Sequence, residues 1–412
     1  MLLKAFLIEI STKMDLSNVP GRAVRKVRQD GAAELISEGR DLVVDDLLLY
    51  RTVYKHLLEK RVDILYRDDV RNRSECLEYE EYNEPMRLKG PTGFRGLDTP
   101  EQYEPGNRFV CEFPDAMLLG PVGPGLTAEG TVIADTVGTP PLTQRRTGVT
   151  IARSISENGA RRTLDALRGD GEPDRRFDTV AFAVPPWNNY YHWTVECLLR
   201  VRLLERYGSE TGIYPTLLVP ADCSSWMKES LDIIDYTGEI ASFDGGVAKA
   251  NSLVVPTFPD PIPEECFWMR NRMRDGTVRD GGSDEERSNR IYIARGDATV
   301  RRVSNRDAVQ RVLDEYNVNT YLLGELSVRE QIDLFRRADV VVAPHGAGLT
   351  NILYGDDLTV IELFGDKTMA TFDRLAASMD HEYRYVQCEQ VGVDVRVDTD
   401  TLAERLQTTI RT

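Results

Sequence analysis

Short apolar runs alternate with amphipathic segments twice along this chain, and that alternation constrains its fold more than any other feature. From residue 177, DTVAFAV reads as a strand, YYHWTVECLLRVRLLERYG as a helix ending at Gly208, and YPTLLVP as a strand. SSWMKESLDIIDY then reads as a helix and NSLVVPTF as a strand. After residue 289 the rhythm restarts with strands RIYIA, NTYLL, VVVAP, TVIELF and YRYVQC. The helices between them are SNRDAVQRVLDEYNV, SVREQIDLFRRAD, AGLTNILYG and FDRLAASM, and Ser327 with Glu330 has capping-box spacing at one helix start. Strands buried on both faces, each followed by a helix, predict parallel sheets covered by helices.

The polar stretch RMRDGTVRDGGSDEERSN (272–289) separates the two rhythms and reads as a linker. The expected division is therefore a mostly helical extension over 1–85, a first lobe over 86–275, a second lobe over 276–390, and a terminal helix over 391–412. Residues 86–150 are dense in Pro and Gly and read as small β elements and extended chain. Two α/β lobes with a cleft between them are a natural enzyme arrangement.

Composition narrows the function. The 412 residues carry 67 acidic and 51 basic side chains, a formal charge of −16, and only nine of the basic ones are lysines. An acidic surface without a basic face argues against a nucleic-acid binder, and scarcity of lysine beside abundant carboxylates suits a high-salt cytoplasm. The longest apolar runs are too short to cross a bilayer, and MLLKAFLIEISTK lacks the charged flank and cleavage site of a leader. A soluble cytoplasmic protein is expected, with docking on the inner face of a membrane allowed. Six scattered cysteines show no metal or disulfide spacing and read as reduced, packed thiols.

Four stretches carry chemistry. In VVVAPHGAGLTNILYG, Pro344 ends a buried strand and leaves His345 at the carboxyl edge of a parallel sheet, where such folds bind ligands. Gly346 and Gly348 allow close backbone approach, and the next helix offers free N–H groups to a diphosphate. The competing reading is a histidine packed in a tight turn. In PPWNNYYHWTVECLLRV, His192 and Glu196 share one helical face, as a general base and its orienting carboxylate would. Trp187, Tyr190, Tyr191 and Trp193 around them suit sugar stacking. The alternatives there are an aromatic helix start packed in a core, or a metal held by His192 and Glu196.

In NRIYIARGDATVRRVSNRD, a strand delivers Arg295, with Arg301 and Arg302 in the next loop. Guanidinium groups match phosphate oxygens, although a solvated arginine cluster is the ordinary alternative. Glu362 lies in the apolar strand TVIELFG and needs a partner, a ribose hydroxyl pair or an arginine. Asp398-Thr399-Asp400 spells a metal–nucleotide pattern but precedes the last helix, where Asp serves as an N-cap.

Taken in order, NNYYHWTVECLLRV, IYIARGDATVRRVSN and APHGAGLTNILY resemble the motifs of glycosyltransferase family 61, over residues 105–390. The resemblance implies a GT-B-like fold of two Rossmann-like lobes, an inverting mechanism, no obligatory metal or other cofactor, and a nucleotide-sugar donor of the UDP-linked kind. It implies donor contacts from Arg295, Arg301 or Arg302, His345, Gly346, Gly348, Thr350 and Asn351, and Asn305, Ala347 and Glu362 complete the expected substrate-binding set. It places Asn189, His192 and Glu196 on the acceptor side. Tyr191 and Trp193 beside them are expected to bind substrate. Acid–base chemistry makes His192, backed by Glu196, the candidate base, with binding of donor phosphate as its alternative role. The acceptor would be a surface polysaccharide, a lipid-linked glycan or a glycoprotein glycan.

Overall fold

The computed structural model describes residues 62–410, apart from breaks at 74, 80–84, 89–101, 104–105, 139–142, 186, 279–288, 297, 299 and 367–368. The helical pattern read in residues 1–61 lies outside the described residues. Val62–Thr412 forms one compact unit.

Two large sheets organise it. The first has strands β1 (Arg108–Pro114), β2 (Arg175–Phe182), β3 (Thr216–Pro220), β4 (Ile240–Phe243) and β5 (Val247–Pro256), with five shorter strands around them. β5, β2, β3 and β4 are parallel neighbours in that order, as the alternation predicts. β5 also pairs antiparallel with β1 and with Met117–Leu119, so this sheet is mixed. The departure comes from 86–150, whose small β elements add to the sheet instead of standing apart.

The second sheet contains β6 (Asn289–Ile293), β7 (Val318–Tyr321), β8 (Ala338–Pro344), β9 (Thr359–Phe364) and β10 (Glu382–Gln387). All its pairings are parallel, in the order β7-β6-β8-β9-β10. Numbered from its own first strand this is 2-1-3-4-5, a doubly wound order whose direction of winding reverses between β6 and β8. Crossovers leave a crevice at that point, and the carboxyl ends of β6 and β8 deliver Arg295 and His345 to it.

Among the described residues, the longer α-helices are α1 (Thr143–Asn158), α2 (Arg200–Thr211), α3 (Ser225–Ile234), α4 (Pro263–Val278), α5 (Arg306–Glu315), α6 (Val328–Arg336), α7 (Thr371–Ser378) and α8 (Thr399–Ile410). Local chemistry fixes several ends. Ser327 Oγ accepts from the Glu330 N–H while the Glu330 carboxylate accepts from the Ser327 N–H, the capping box at the start of α6. Asp398 Oδ1 accepts from the N–H groups of Asp400 and Thr401, so the DxD stretch is an N-cap of α8. Gly212, with φ of 76°, closes α2 in the left-handed conformation.

Several elements differ from expectation. The described part of the N-terminal extension forms strands Ile64–Leu65 and Cys76–Tyr79 around a five-residue helix. Ile64 and Leu65 pair with Val132 and Ile133, so sheet pairing overrides the helical spacing there. Helix α1 starts within the segment read as extended; its buried face holds Thr143, Arg146, Thr147, Gly148 and Thr150 among few apolar residues, which hides the helical period. The expected linker begins as the last turns of α4, where Arg272 donates to the Ile234 carbonyl and Arg274 pairs with Asp356. His192–Leu198 winds as a π-helix before α2, and Ala347–Tyr354 as 3₁₀ turns.

One apolar core joins both sheets, running from Ala181 and Leu217 through Trp193 and Met269 to Ile291 and Val341. Helices α3 and α4 pack on α6 across this junction. Glu229 of α3 accepts from the N–H groups of Val328 and Arg329, a carboxylate set at the positive end of α6.

Candidate functional site

Two imidazole–carboxylate pairs follow strand ends of the two sheets. The first lies beyond β2. His192 Nδ1 is 2.8 Å from Glu196 Oε2, and the spacing of four that puts them on one face in sequence survives the π turn. π turns concentrate at functional sites. Asn189 Oδ1 accepts from the His192 N–H and fixes the entry to this turn.

The first pair has a third member that no local pattern announces. Arg146 of α1 makes two hydrogen bonds to Glu196, at 2.8 and 3.1 Å, with both side chains buried. Its guanidinium also lies 5.3 Å from the Trp187 ring and 5.2 Å from Phe258. Burial alone would push the Glu196 carboxyl up, but the Arg146 charge and then His192 outweigh it and hold it at about 2. Tyr191 stands beside His192 with ring centroids 5.6 Å apart, and burial followed by the Glu196 charge pushes its phenol up.

The second pair bridges adjacent strands. His345 Nδ1 is 2.5 Å from Glu362 Oε1, and the Tyr383 O–H donates to Glu362 Oε2 at 2.5 Å. All three side chains are buried. The partners expected for Glu362, a ribose or an arginine, are thus replaced within hydrogen-bond range by His345 and Tyr383. Tyr383 is pushed up by burial and then by the Glu362 charge. Phe364 stacks on His345 at 5.4 Å and Phe372 of α7 meets it edge-on at 5.4 Å.

Phe372 also links the pairs: its ring is 5.8 Å from Tyr191, which touches His192. A second tie runs from the Tyr190 O–H to Asn351 Oδ1, 3.0 Å away. Asn351 donates in turn to Gln331 and to the Gly348 carbonyl, so its amide is engaged wholly within the protein.

Beside His345 opens a cavity of about 210 Å³ lined by Ile293, Arg295, Ala343, Pro344, Ala347 and Gly348. A second, of about 240 Å³, shares the Ala294–Arg295 wall and extends under α5. Gly346 is required for this packing, since a Cβ there would lie 1.8 Å from an Arg295 guanidinium nitrogen. Arg301 is drawn well below its ordinary value, to about 10, by burial and then by Arg295, against the pull of Glu362. Two neighbouring cations at the carboxyl edge of a parallel sheet form an anion-receptive corner. Thr350, fully buried, has an Oγ without a partner among the described residues.

Three of the expected contacts lie elsewhere. Arg302 forks onto Asp394, at 2.9 Å for the closest atoms. Asn305 exchanges two hydrogen bonds with the Val397 backbone. Trp193 is core, its indole N–H donating to Ser230 Oγ at 2.7 Å. All three are engaged within the protein by these contacts. Arg146, Phe372 and Tyr383 are not legible in the sequence: each arrives from a distant segment.

The anion-receptive corner thus lies at the doubly wound switch point of the second sheet, with His345 held by Glu362 beside it. The family model described as Glycosyltransferase 61 matches residues 190–361, which hold His192, Glu196, Arg295, Arg301 and His345. This match supports glycosyltransferase chemistry and covers the second and third expected motifs and the first from Tyr190 onward. Arg146, Asn189, Glu362 and Tyr383 lie outside it. No curated protein matches the chain. Among the described residues, no helix is long and apolar enough to cross a membrane.

Proposed function

We propose that the protein is an inverting, metal-independent glycosyltransferase that moves a sugar from a UDP-sugar to a hydroxyl of a surface polysaccharide, lipid-linked glycan or glycoprotein glycan. The observation that carries this reading is the pairing of two histidine–carboxylate sites through Tyr191 and Phe372, one beside Arg295 and Arg301 and the other beside part-exposed aromatic rings. His345, Arg295, Arg301 and the N-terminal N–H groups of 347–354 belong to the donor side. Asn189, Tyr191, His192 and Glu196 belong to the acceptor side.

Inversion takes one displacement. The acceptor hydroxyl gives its proton to His192 Nε2 as its oxygen bonds to the anomeric carbon, and the bond from that carbon to the diphosphate oxygen breaks. Arg295 and Arg301 neutralise charge gathering on the leaving diphosphate, the task a metal ion performs elsewhere. Both Glu196 oxygens are already engaged, by Arg146 and His192, which disfavours its use as a metal ligand in a hydrolase. In this reading the protein works in the cytoplasm, with docking on the inner face of the membrane allowed, and its acid-rich, lysine-poor composition fits a halophilic source.

The test is incubation with UDP-, GDP- and dTDP-sugars while nucleotide release is scored. Release of UDP, by transfer or slow hydrolysis, supports the reading. UDP binding without any turnover would make the protein a non-catalytic nucleotide-sugar-binding subunit, and turnover abolished by chelator would favour a metal hydrolase.

A further inference from the structure

Arg146, Glu196, His192 and Trp187 close a ring of contacts. Arg146 holds Glu196 by two hydrogen bonds, Glu196 meets His192 at 2.8 Å, the His192 ring lies 5.3 Å from Trp187, and Trp187 lies 5.3 Å from the Arg146 guanidinium. We infer that Arg146, which lies outside the family match, is a positioning residue that sets the proton affinity of the His192–Glu196 pair. This rests on His192 acting as the base.

Three observations separate this from an ordinary structural ion pair. Glu196 Oε2 is the atom that both Arg146 and His192 approach, so the guanidinium charge bears directly on the imidazole partner. The pair is buried at Arg146 and Glu196 while the His192 side chain remains 20% exposed, so the coupling ends at a group that reaches solvent. Gly138 is shaped for the arginine: a Cβ there would lie 2.6 Å from its Cδ. Trp187 caps the ring from the acceptor side, so a sugar stacked on it would sit against the same assembly.

The charged and titratable neighbours of the ring are few. Cys197, Arg200 and Tyr191 come from the same helical segment, Arg146 and its neighbour Arg145 come from α1, Asp135 acts through Arg200, Cys223 acts through Cys197, and Asp260 and Arg374 act through Tyr191. Arg200 is turned away, donating to the carbonyls of Glu196 and Phe182. Arg146 is therefore the cation that faces the carboxylate. His192 Nδ1 faces Glu196, so Nε2 is the ring nitrogen turned away from the carboxylate. Without the guanidinium, the pair takes up its next proton at higher pH, because a nearby positive charge no longer opposes it.

The experiment compares Arg146→Met and Arg146→Lys with the full-length wild type. The titration of the His192 ring is followed by NMR in the free protein, and the pH profile of kcat is measured with a UDP-sugar. We expect Arg146→Met to move the proton uptake of the pair upward by about one pH unit or more. The acid limb of kcat should move with it, and Arg146→Lys should restore most of both. KM for the donor should change little. A folded Arg146→Met with an unmoved titration would overturn the proposal and leave Arg146 a scaffold residue. Should Arg146→Met not fold, Arg146→Gln and Glu196→Gln decide: the first must move the ring titration upward and the second downward, and no movement in either counts against the coupling. The NMR arm needs no turnover, so it stays separable from failure of the transferase reading, which would appear as an inert wild type.

Discussion

Two carboxylates in this protein hold a histidine each, and they are buttressed in opposite ways. Glu196 is shared between His192 and a guanidinium, inside one helical turn whose histidine reaches solvent. Glu362 is shared between His345 and a neutral phenol, across three adjacent strands, with His345 closed in by Phe364 and Phe372. The first arrangement leaves the imidazole part-exposed. The second builds a rigid polar wall beside Arg295 and Arg301. The same two residue types thus stand in one case at a part-exposed imidazole backed by a guanidinium, and in the other at an enclosed imidazole backed by a phenol.

That contrast can be broken in order of expected effect. His192→Ala should lower kcat by about 10²–10⁴-fold, the usual contribution of a positioned general base, with donor KM little changed. A loss confined to KM would remove His192 from the base role. Next, the buttresses should differ in stability: Arg146→Met strands a buried carboxylate and should cost about 3–5 kcal/mol. Tyr383→Phe removes one hydrogen bond and should cost about 1–3 kcal/mol. Denaturant melts of both variants check this, and equal costs would erase the distinction between charged and neutral support.

The pH dependence of stability sharpens the same point. Glu196 is lowered on folding, from 4.5 to about 2. An acid whose folded value is depressed contributes its stability above the unfolded value and loses it as pH falls through the folded one. Wild-type stability should therefore decline from about pH 4.5 toward pH 2, and Arg146→Met should lose less over that window. Melts at closely spaced pH values would show it; parallel curves would mean that Glu196 is not the group held down. The smallest effect belongs to Arg302→Ala. Its partly exposed ion pair with Asp394 should contribute no more than about 1 kcal/mol, and UDP affinity should stay unchanged.

Legibility in the sequence tracks the range of the interactions. The capping box at Ser327 and the cap at Asp398 are encoded within four residues, and both form. His345 can be placed at a strand end because Pro344 stops the run and parallel sheets bind ligands at that edge. His192 and Glu196 can be paired because they sit four apart. Arg146 is 50 residues from Glu196, and Tyr383 is 21 from Glu362, so nothing local marks either partnership. Helix α1 is hidden because its inward face is largely threonine, arginine and glycine. Trp193 misleads for the opposite reason: an aromatic beside the site looks like a sugar platform until the fold turns it into the core. In the motif around Arg302 and Asn305, likewise, only the fold reveals the contacts with Asp394 and Val397.

The proposed division between the two crevices is tested most directly by UDP affinity, measured by titration calorimetry in His192→Ala and Arg295→Ala side by side. Loss of a charged phosphate contact should weaken binding about tenfold or more in Arg295→Ala. His192→Ala should stay within about twofold of wild type, as befits a group reserved for the acceptor proton. Equal loss of UDP binding in the two variants would contradict the division and place His192 on the donor.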